Sequence, residues 1–130
     1  MKVYDSGYRG ECRHERSEQI DCISWLKFNH AERWPLIFHP SNETRGTASH
    51  MQMRAKEGVS AGVSDIIDFG AVRGAFELKR LDKSKCKVSK EQREFLEATA
   101  ASGGFAAICY GFSEFRRAYA DYLIFVENNS

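Results

Sequence analysis

Two short apolar runs on either side of a glycine-flanked connection decide the fold: Val63-Ser64-Asp65-Ile66-Ile67-Asp68-Phe69, then Gly70-Ala71-Val72-Arg73-Gly74, then Ala75-Phe76-Glu77-Leu78-Lys79. Branched and aromatic residues bounded by glycine are typical of two β-strands joined in a hairpin. Successive side chains on a strand alternate between its faces, so Glu77 and Lys79 share one face while Leu78 can enter the core. The hairpin therefore presents an acid and an amine side by side.

Further helices and strands are predicted on both sides of the hairpin. Upstream, apolar spacing behind the capping residue Ser17 predicts a helix to about residue 30, followed by a strand over 34–38 and a helix over 47–57 capped by Gly58. Downstream, the capping box Ser89-Lys90-Glu91-Gln92 begins a helix to about residue 102, 105–110 is a strand, and Ser113 can cap a last helix. The order α-β-α-β-β-α-β-α predicts the α/β class, with a mixed sheet flanked by helices.

Length and composition fit a single domain spanning residues 1–130. The chain is 42% hydrophobic and 28% charged with two prolines and a net charge of +1, which is ordinary for a globular protein. No apolar run reaches the ~20 residues that span a bilayer, so no membrane contact is expected. Residues 1–16 are charged and polar, so we expect this segment to be loosely ordered and without a signal peptide, and the protein to be cytoplasmic.

The cysteines give no sign of a zinc site. Cys12, Cys22, Cys86 and Cys109 form no C-x-x-C pair, and the four histidines do not lie at finger spacing around them. Free thiols are therefore expected. His39 and His50 are interpreted as structural or surface residues.

Asp65 and Glu77 carry the chemical signal, because they lie twelve residues apart on adjacent predicted strands. Two carboxylates held close together favour a divalent cation between them, and oxygen ligands favour Mg²⁺, with Mn²⁺ as a substitute. Such a metal polarises a phosphodiester and acidifies a water, while Lys79 orients or deprotonates the nucleophile. The alternative is that Asp65 caps a turn and that Glu77 and Lys79 form an exposed ion pair.

Several motifs in order resemble those of one known family. They are His39-Pro40-Ser41-Asn42-Glu43, Gly58-Val59-Ser60-Ala61-Gly62-Val63-Ser64-Asp65-Ile66-Ile67, Phe76-Glu77-Leu78-Lys79-Arg80, Ser89-Lys90-Glu91-Gln92-Arg93-Glu94-Phe95-Leu96 and Gly103-Gly104-Phe105-Ala106. This pattern resembles the VRR-NUC domain of the PD-(D/E)xK nuclease superfamily over most of the chain from Ser17 onward. Ser64 departs from the family pattern, which has proline before the aspartate.

The resemblance implies a restriction-endonuclease-like fold and a metal-dependent nuclease. Asp65 and Glu77 match the family's metal ligands, and the backbone carbonyl of Leu78 is implied as a further ligand. Lys79 matches the catalytic lysine and Gln92 the glutamine that orients the site. Glu18 matches the acid that the family carries on its first helix, although Glu15 lies nearby.

Stand-alone members of the family from bacteria and phages resemble homodimeric resolvases of four-way (Holliday) DNA junctions, and larger members act in flap or crosslink repair. We therefore expect a Mg²⁺-dependent, structure-selective endonuclease on branched DNA, a homodimer, in a bacterial or phage-infected cell. Two alternatives remain open. One is a nuclease on flap, linear or single-stranded DNA, and the other is a catalytically silent DNA-binding module of the same fold.

A basic run follows the catalytic lysine and is expected to contact phosphates. Its members are Arg80, Lys83, Lys85, Lys87 and Lys90. Each phosphate contact would release counterions and make binding depend on salt. Asn42, Arg45 and Arg54 are further DNA-binding candidates.

Overall fold

The computed structural model describes residues 1–40, 47–58 and 61–130. The helices and strands in these residues run in the order β1 (Lys2–Tyr4), α1 (Glu15–Asn29), β2 (Ile37–Phe38), α2 (Ala48–Lys56), β3 (Ile66–Asp68), β4 (Gly74–Lys79), α3 (Lys90–Ala101), β5 (Phe105–Tyr110) and α4 (Phe112–Asn129).

One mixed sheet organises the chain, with strand order β1-β5-β4-β3-β2. The predicted hairpin is the antiparallel pair β3 and β4, in which Ile66 lies opposite Phe76 and Asp68 opposite Gly74. Strands β4 and β5 are parallel, since helix α3 provides the crossover between them. The predicted α/β class with a helix-flanked mixed sheet is confirmed.

Helices cover both faces of the sheet. On one face, α1 and α4 contribute Leu26, Phe115 and Tyr119 to a core that includes Phe76 and Leu78 of β4. On the other face, Leu96 of α3 packs on a smaller core with Ala75, Ala106 and Ile108. Alternation along β4 therefore sends Leu78 to the first core and leaves Glu77 and Lys79 on the α3 face. Within the described parts of the chain, no helix is long and apolar enough to cross a membrane.

The N-terminus is more ordered than its composition indicates. Lys2–Tyr4 adds strand β1 to the sheet, parallel to β5, with Val3 opposite Ile108. Tyr4 is buried, and its hydroxyl donates to a carboxylate oxygen of Asp121 on α4 at 2.7 Å. The prediction of a loose start was wrong for Lys2–Tyr4. The partners that order this strand lie more than one hundred positions away in the sequence, so local composition does not reveal them.

Three element boundaries differ from the prediction. Helix α1 begins at Glu15 rather than Ser17, and its N-cap His14 makes no side-chain capping bond. The run from Trp34 begins as a 3-10 turn over Trp34–Leu36, so that only Ile37–Phe38 is strand. Helix α4 begins directly after Gly111, whose φ of 97° favours glycine, rather than behind a Ser113 cap.

Asp68 at the end of β3 has a structural role on the core side of the sheet. It is fully buried, and Arg33 donates to both of its carboxylate oxygens, at 2.9 and 3.1 Å. The hydroxyl of Tyr119 donates to the same carboxylate at 2.7 Å. This buried cluster joins the turn after α1 to the sheet and to α4.

Candidate active site

The two carboxylates of the hairpin meet just before β3 begins, where β4 runs beyond its pairing with β3. Ile66 and Phe76 form the last pair of the β3–β4 ladder, so the register brings Asp65 opposite Glu77. Beyond this pair β3 no longer provides a backbone acceptor for β4. The side chain of Asp65 takes that place, because its Oδ2 accepts the backbone N–H of Leu78 at 2.8 Å. The end of the ladder thus fixes the Asp65 carboxylate beside Leu78, the residue between Glu77 and Lys79.

Glu77 is the least satisfied polar group of the site. Its side chain is 1% exposed, and neither carboxylate oxygen has a hydrogen-bond partner among the described residues. Burial, and after it the neighbouring carboxylate of Asp65, hold the pKa of Glu77 well above its usual range. A buried carboxylate without partners is costly unless it keeps a proton or meets a cation.

A hydrogen bond joins Lys79 of β4 to Gln92 of α3 on the face of the sheet that α3 covers. The ammonium of Lys79, whose residue is 6% exposed, donates to Oε1 of Gln92 at 3.1 Å. The same oxygen accepts the backbone N–H of Ser89 at 2.9 Å, and the Ser89 hydroxyl accepts the Gln92 N–H, which completes the predicted capping box. The start of α3 therefore holds Gln92 in place for Lys79.

Glu15, rather than Glu18, is the acid of α1 that faces Lys79. Its Oε1 lies 3.9 Å from Lys79 Nζ. Burial raises the pKa of Glu15 against the lowering effect of the Lys79 ammonium, and the Asp65 carboxylate adds to the rise. These groups share one electrostatic environment.

The structure places Glu18 in a different cluster. Its carboxylate accepts two hydrogen bonds from Arg13, at 2.7 and 3.0 Å, and one from the Phe112 N–H at 2.9 Å. Glu18 is predicted as a metal ligand, and the structure engages its oxygens in joining α1 to α4. The family resemblance favoured Glu18 over the nearby Glu15, and the helix predicted from Ser17 in fact begins at Glu15, three residues before Glu18.

The donor set fits a small divalent cation that keeps several waters. In a strand the N–H and C=O of one residue point to the same side, so the Leu78 carbonyl shares the edge at which Asp65 takes the Leu78 N–H. Two carboxylates and this carbonyl are hard oxygen ligands, and the unpartnered oxygens of Glu77 are free to bind. Over residues 1–40, 47–58 and 61–130, no group of three or more His, Cys, Asp or Glu residues is arranged to hold a metal ion. Mg²⁺ usually binds through only one or two carboxylates together with water and phosphate.

The predicted basic run is divided among different contacts. Arg80 donates to the backbone carbonyls of Cys12 at 2.9 Å and Arg13 at 3.2 Å, so its guanidinium is not free. Lys83 Nζ lies 5.8 Å from the centre of the Tyr110 ring, and Lys90 pairs with Glu94 at 3.8 Å. Lys85 and Lys87 are exposed, with no ion pair to a described residue.

Of the three remaining DNA-binding candidates, Arg54 is the one that lies within the described residues. Arg54 lies on the outer helix α2, half-buried. Asn42 and Arg45 lie outside the described residues.

His39 was interpreted as a surface or structural residue, and it is exposed but in contact with the site. Its Nδ1–H donates to the backbone carbonyl of Asp65 at 2.6 Å, which fixes the tautomer at that nitrogen. His39 and Glu15 also line an open groove of about 620 Å³ along α1. The sequence held no signal for this contact, since the two partners are 26 positions apart.

The fold has a counterpart among solved structures. A protein described as a "VRR_NUC domain protein" superposes with a TM-score of 0.70 over 88% of this chain and 92% of that chain, at 20% sequence identity. No family model and no curated protein sequence matches the chain. The restriction-endonuclease-like fold that the sequence resemblance implied is thus confirmed by a structure of related architecture.

Proposed function

We propose that this protein is a divalent-metal-dependent endonuclease that hydrolyses phosphodiester bonds in branched DNA. The observation that carries the proposal is the buried Glu77 carboxylate, which has no hydrogen-bond partner among the described residues and lies beside Asp65 and on the same sheet face as Lys79. A structural acid would be paired or exposed. A metal ligand is expected to have free oxygens turned into a polar cleft.

Asp65, Glu77 and the Leu78 carbonyl are the proposed ligands of Mg²⁺, with Mn²⁺ as a substitute, and Glu15 is the acid that borders them. The ion, when bound, would polarise the phosphate and acidify a water. General-base help alone is worth roughly 10²–10⁴-fold, far less than phosphodiester hydrolysis requires. Lys79 is therefore proposed to act with the metal and not in its place.

Lys79 is proposed as the residue that orients the attacking water at Nζ. The hydrogen bond to Gln92 restrains the ammonium, and the Glu15 carboxylate near it supplies a compensating charge. A restrained donor loses little freedom when the substrate arrives. Gln92 is thus a positioning residue for Lys79.

The substrate and the assembly rest on the family resemblance. A four-way junction is cut symmetrically by two active sites, and a C₂ homodimer supplies two. Lys85 and Lys87, exposed after the catalytic strand, are the phosphate contacts that the described residues support best. Light scattering at micromolar concentration is expected to give the mass of two chains, and a monomeric mass would contradict the dimer.

Cleavage of an end-labelled four-way junction and a matched linear duplex tests the proposal, with Mg²⁺, Mn²⁺ or EDTA. We expect metal-dependent, symmetric nicking of the junction by the wild type, and a rate at least about 10²-fold lower for Lys79→Ala. The matched control is Lys56→Ala, which removes an exposed lysine at the end of α2.

Three other outcomes of this cleavage experiment would contradict part of the proposed function. Equal cutting of both substrates would indicate a nuclease that acts on linear or flap DNA and would contradict selectivity for the four-way junction. DNA binding without cleavage in either metal would indicate a silent binding module. A Lys79→Ala variant that cuts at the wild-type rate would remove the catalytic assignment.

A further inference from the structure

The segment over residues 9–14, here called the N-terminal strap, leads from the region after β1 to the start of α1. Arg80, directly after Lys79, holds it through two carbonyls. Nη2 of Arg80 donates to the Cys12 carbonyl at 2.9 Å and Nε donates to the Arg13 carbonyl at 3.2 Å. The guanidinium fork therefore bridges two successive carbonyls of the strap.

Two further links fasten the strap on either side of this bridge. The N–H of Gly10 donates to Oδ2 of Asp82 at 2.8 Å, in the loop that follows β4. Arg13 forms ion pairs with Glu18 at 2.7 Å and Asp21 at 2.6 Å, both on α1. The strap thus connects the end of the catalytic strand to the first turns of α1.

Fixing the start of α1 matters because Glu15 is its first residue. Its carboxylate lies 3.9 Å from Lys79 Nζ, at the edge of the candidate metal site. The N-cap His14 makes no side-chain capping bond to this end of the helix. The bonds from Arg80 end at Cys12 and Arg13, two residues before Glu15.

We propose that Arg80 is a positioning residue that acts through the strap on Glu15, and that it is not a phosphate contact. The inference rests on the proposed function, since it takes Glu15 to border a metal-dependent active site. Arg80 is chemically suited to this role, because a planar fork with several fixed donors can bridge two carbonyls. Lysine keeps the charge but lacks the fork.

The test measures Mn²⁺ binding to the full chain without DNA, by calorimetric titration, in a double-mutant cycle of Arg80→Ala and Glu15→Gln. Loss of an outer residue that orients a metal site costs about 10–100-fold in metal affinity or activity. We therefore expect Arg80→Ala to weaken Mn²⁺ binding at least about tenfold in the wild-type background. In the Glu15→Gln background the same substitution is expected to have almost no further effect.

Kinetics on the four-way junction give the second readout. Arg80→Ala is expected to lower kcat with little change in KM, and Arg80→Lys is expected to be impaired as well. Arg73→Ala is the matched control, since Arg73 also donates to a distant backbone carbonyl, that of Ser102 at 2.6 Å. It is expected to leave Mn²⁺ affinity and kcat unchanged.

Three results would overturn the inference. The first is an equal loss of Mn²⁺ affinity from Arg80→Ala in both backgrounds, with a lowered melting temperature, which would indicate a general structural role. The second is full recovery by Arg80→Lys, and the third is a raised KM with unchanged Mn²⁺ affinity, which would indicate a DNA contact. If the wild type binds Mn²⁺ but cleaves no DNA, the proposed function fails while the Mn²⁺ cycle still decides the role of Arg80.

Discussion

Glu77 combines burial, a neighbouring carboxylate and two oxygens without a partner among the described residues, and we expect this combination to cost stability in the metal-free protein. Its pKa is raised on folding, first by burial and then by Asp65. A carboxyl group whose folded pKa lies above its unfolded pKa binds its proton more tightly in the native state. The contribution of protonated Glu77 to the free energy of unfolding is fully present below the unfolded pKa and is lost as pH rises through the folded pKa.

This sign gives a prediction for stability in EDTA. As pH rises above the ordinary glutamate range, the free energy of unfolding of the wild type should fall relative to Glu77→Gln, by at most about 1.4 kcal/mol per pH unit. Urea unfolding of both proteins between pH 4 and pH 9 measures the difference. Parallel pH profiles for the two proteins would show that Glu77 is not perturbed in the folded state.

At the scale of elements, the start of α3 has two roles that mutation can separate: it caps the helix and it holds Lys79. Gln92 closes the capping box with Ser89 and also holds Lys79. Ser89→Ala removes only the hydroxyl that accepts the Gln92 N–H, whereas the Ser89 backbone can still donate to Gln92. Gln92→Ala removes both the reciprocal cap bond and the partner of Lys79.

We therefore expect both variants to lose about 1 kcal/mol of stability, the usual cost of a lost N-cap interaction. Junction cleavage should fall about tenfold or more in Gln92→Ala and stay near the wild-type rate in Ser89→Ala. Thermal unfolding and single-turnover cleavage provide the two measurements. Equal activities in the two variants would mean that Gln92 is only a helix cap.

The helices and strands that local sequence patterns encode were predicted, whereas contacts between distant parts of the chain were not. Alternation in the hairpin and the capping box predicted the site face of β4 and the start of α3, because both are local patterns. Strand β1, the Glu15–Lys79 approach and the His39–Asp65 contact were missed, since each depends on residues brought together from distant parts of the chain. The helix start was misplaced by two residues, and the choice of Glu18 over the nearby Glu15 came from the family resemblance, which does not show which of the two acids approaches Lys79.

At the scale of the whole molecule, a net charge of +1 conceals an uneven distribution of cations. Within the predicted basic run, Arg80 is bonded to the strap and Lys90 to Glu94, whereas Lys85 and Lys87 are exposed and unpaired with any described carboxylate. Side chains already held by the protein have fewer donors left for phosphates. The DNA-facing charge is therefore expected to be concentrated on Lys85 and Lys87.

Salt dependence of junction binding in Ca²⁺ or EDTA tests this expectation. Lys85→Ala and Lys87→Ala should each reduce the slope of log K against log salt by about 1, whereas Arg80→Ala should leave the slope nearly unchanged. Fluorescence anisotropy over a range of potassium chloride concentrations measures it. A slope reduced by Arg80→Ala and unaffected by the two lysines would reverse the assignment.

Glu77 and Asp65 are proposed to hold a divalent cation together, and calorimetric titration of Mn²⁺ into the wild type and Glu77→Gln measures this binding itself. We expect the wild type to bind Mn²⁺ and folded Glu77→Gln to bind it at least about tenfold more weakly. Equal Mn²⁺ affinity in the two proteins, or no binding to the wild type, would contradict the claim.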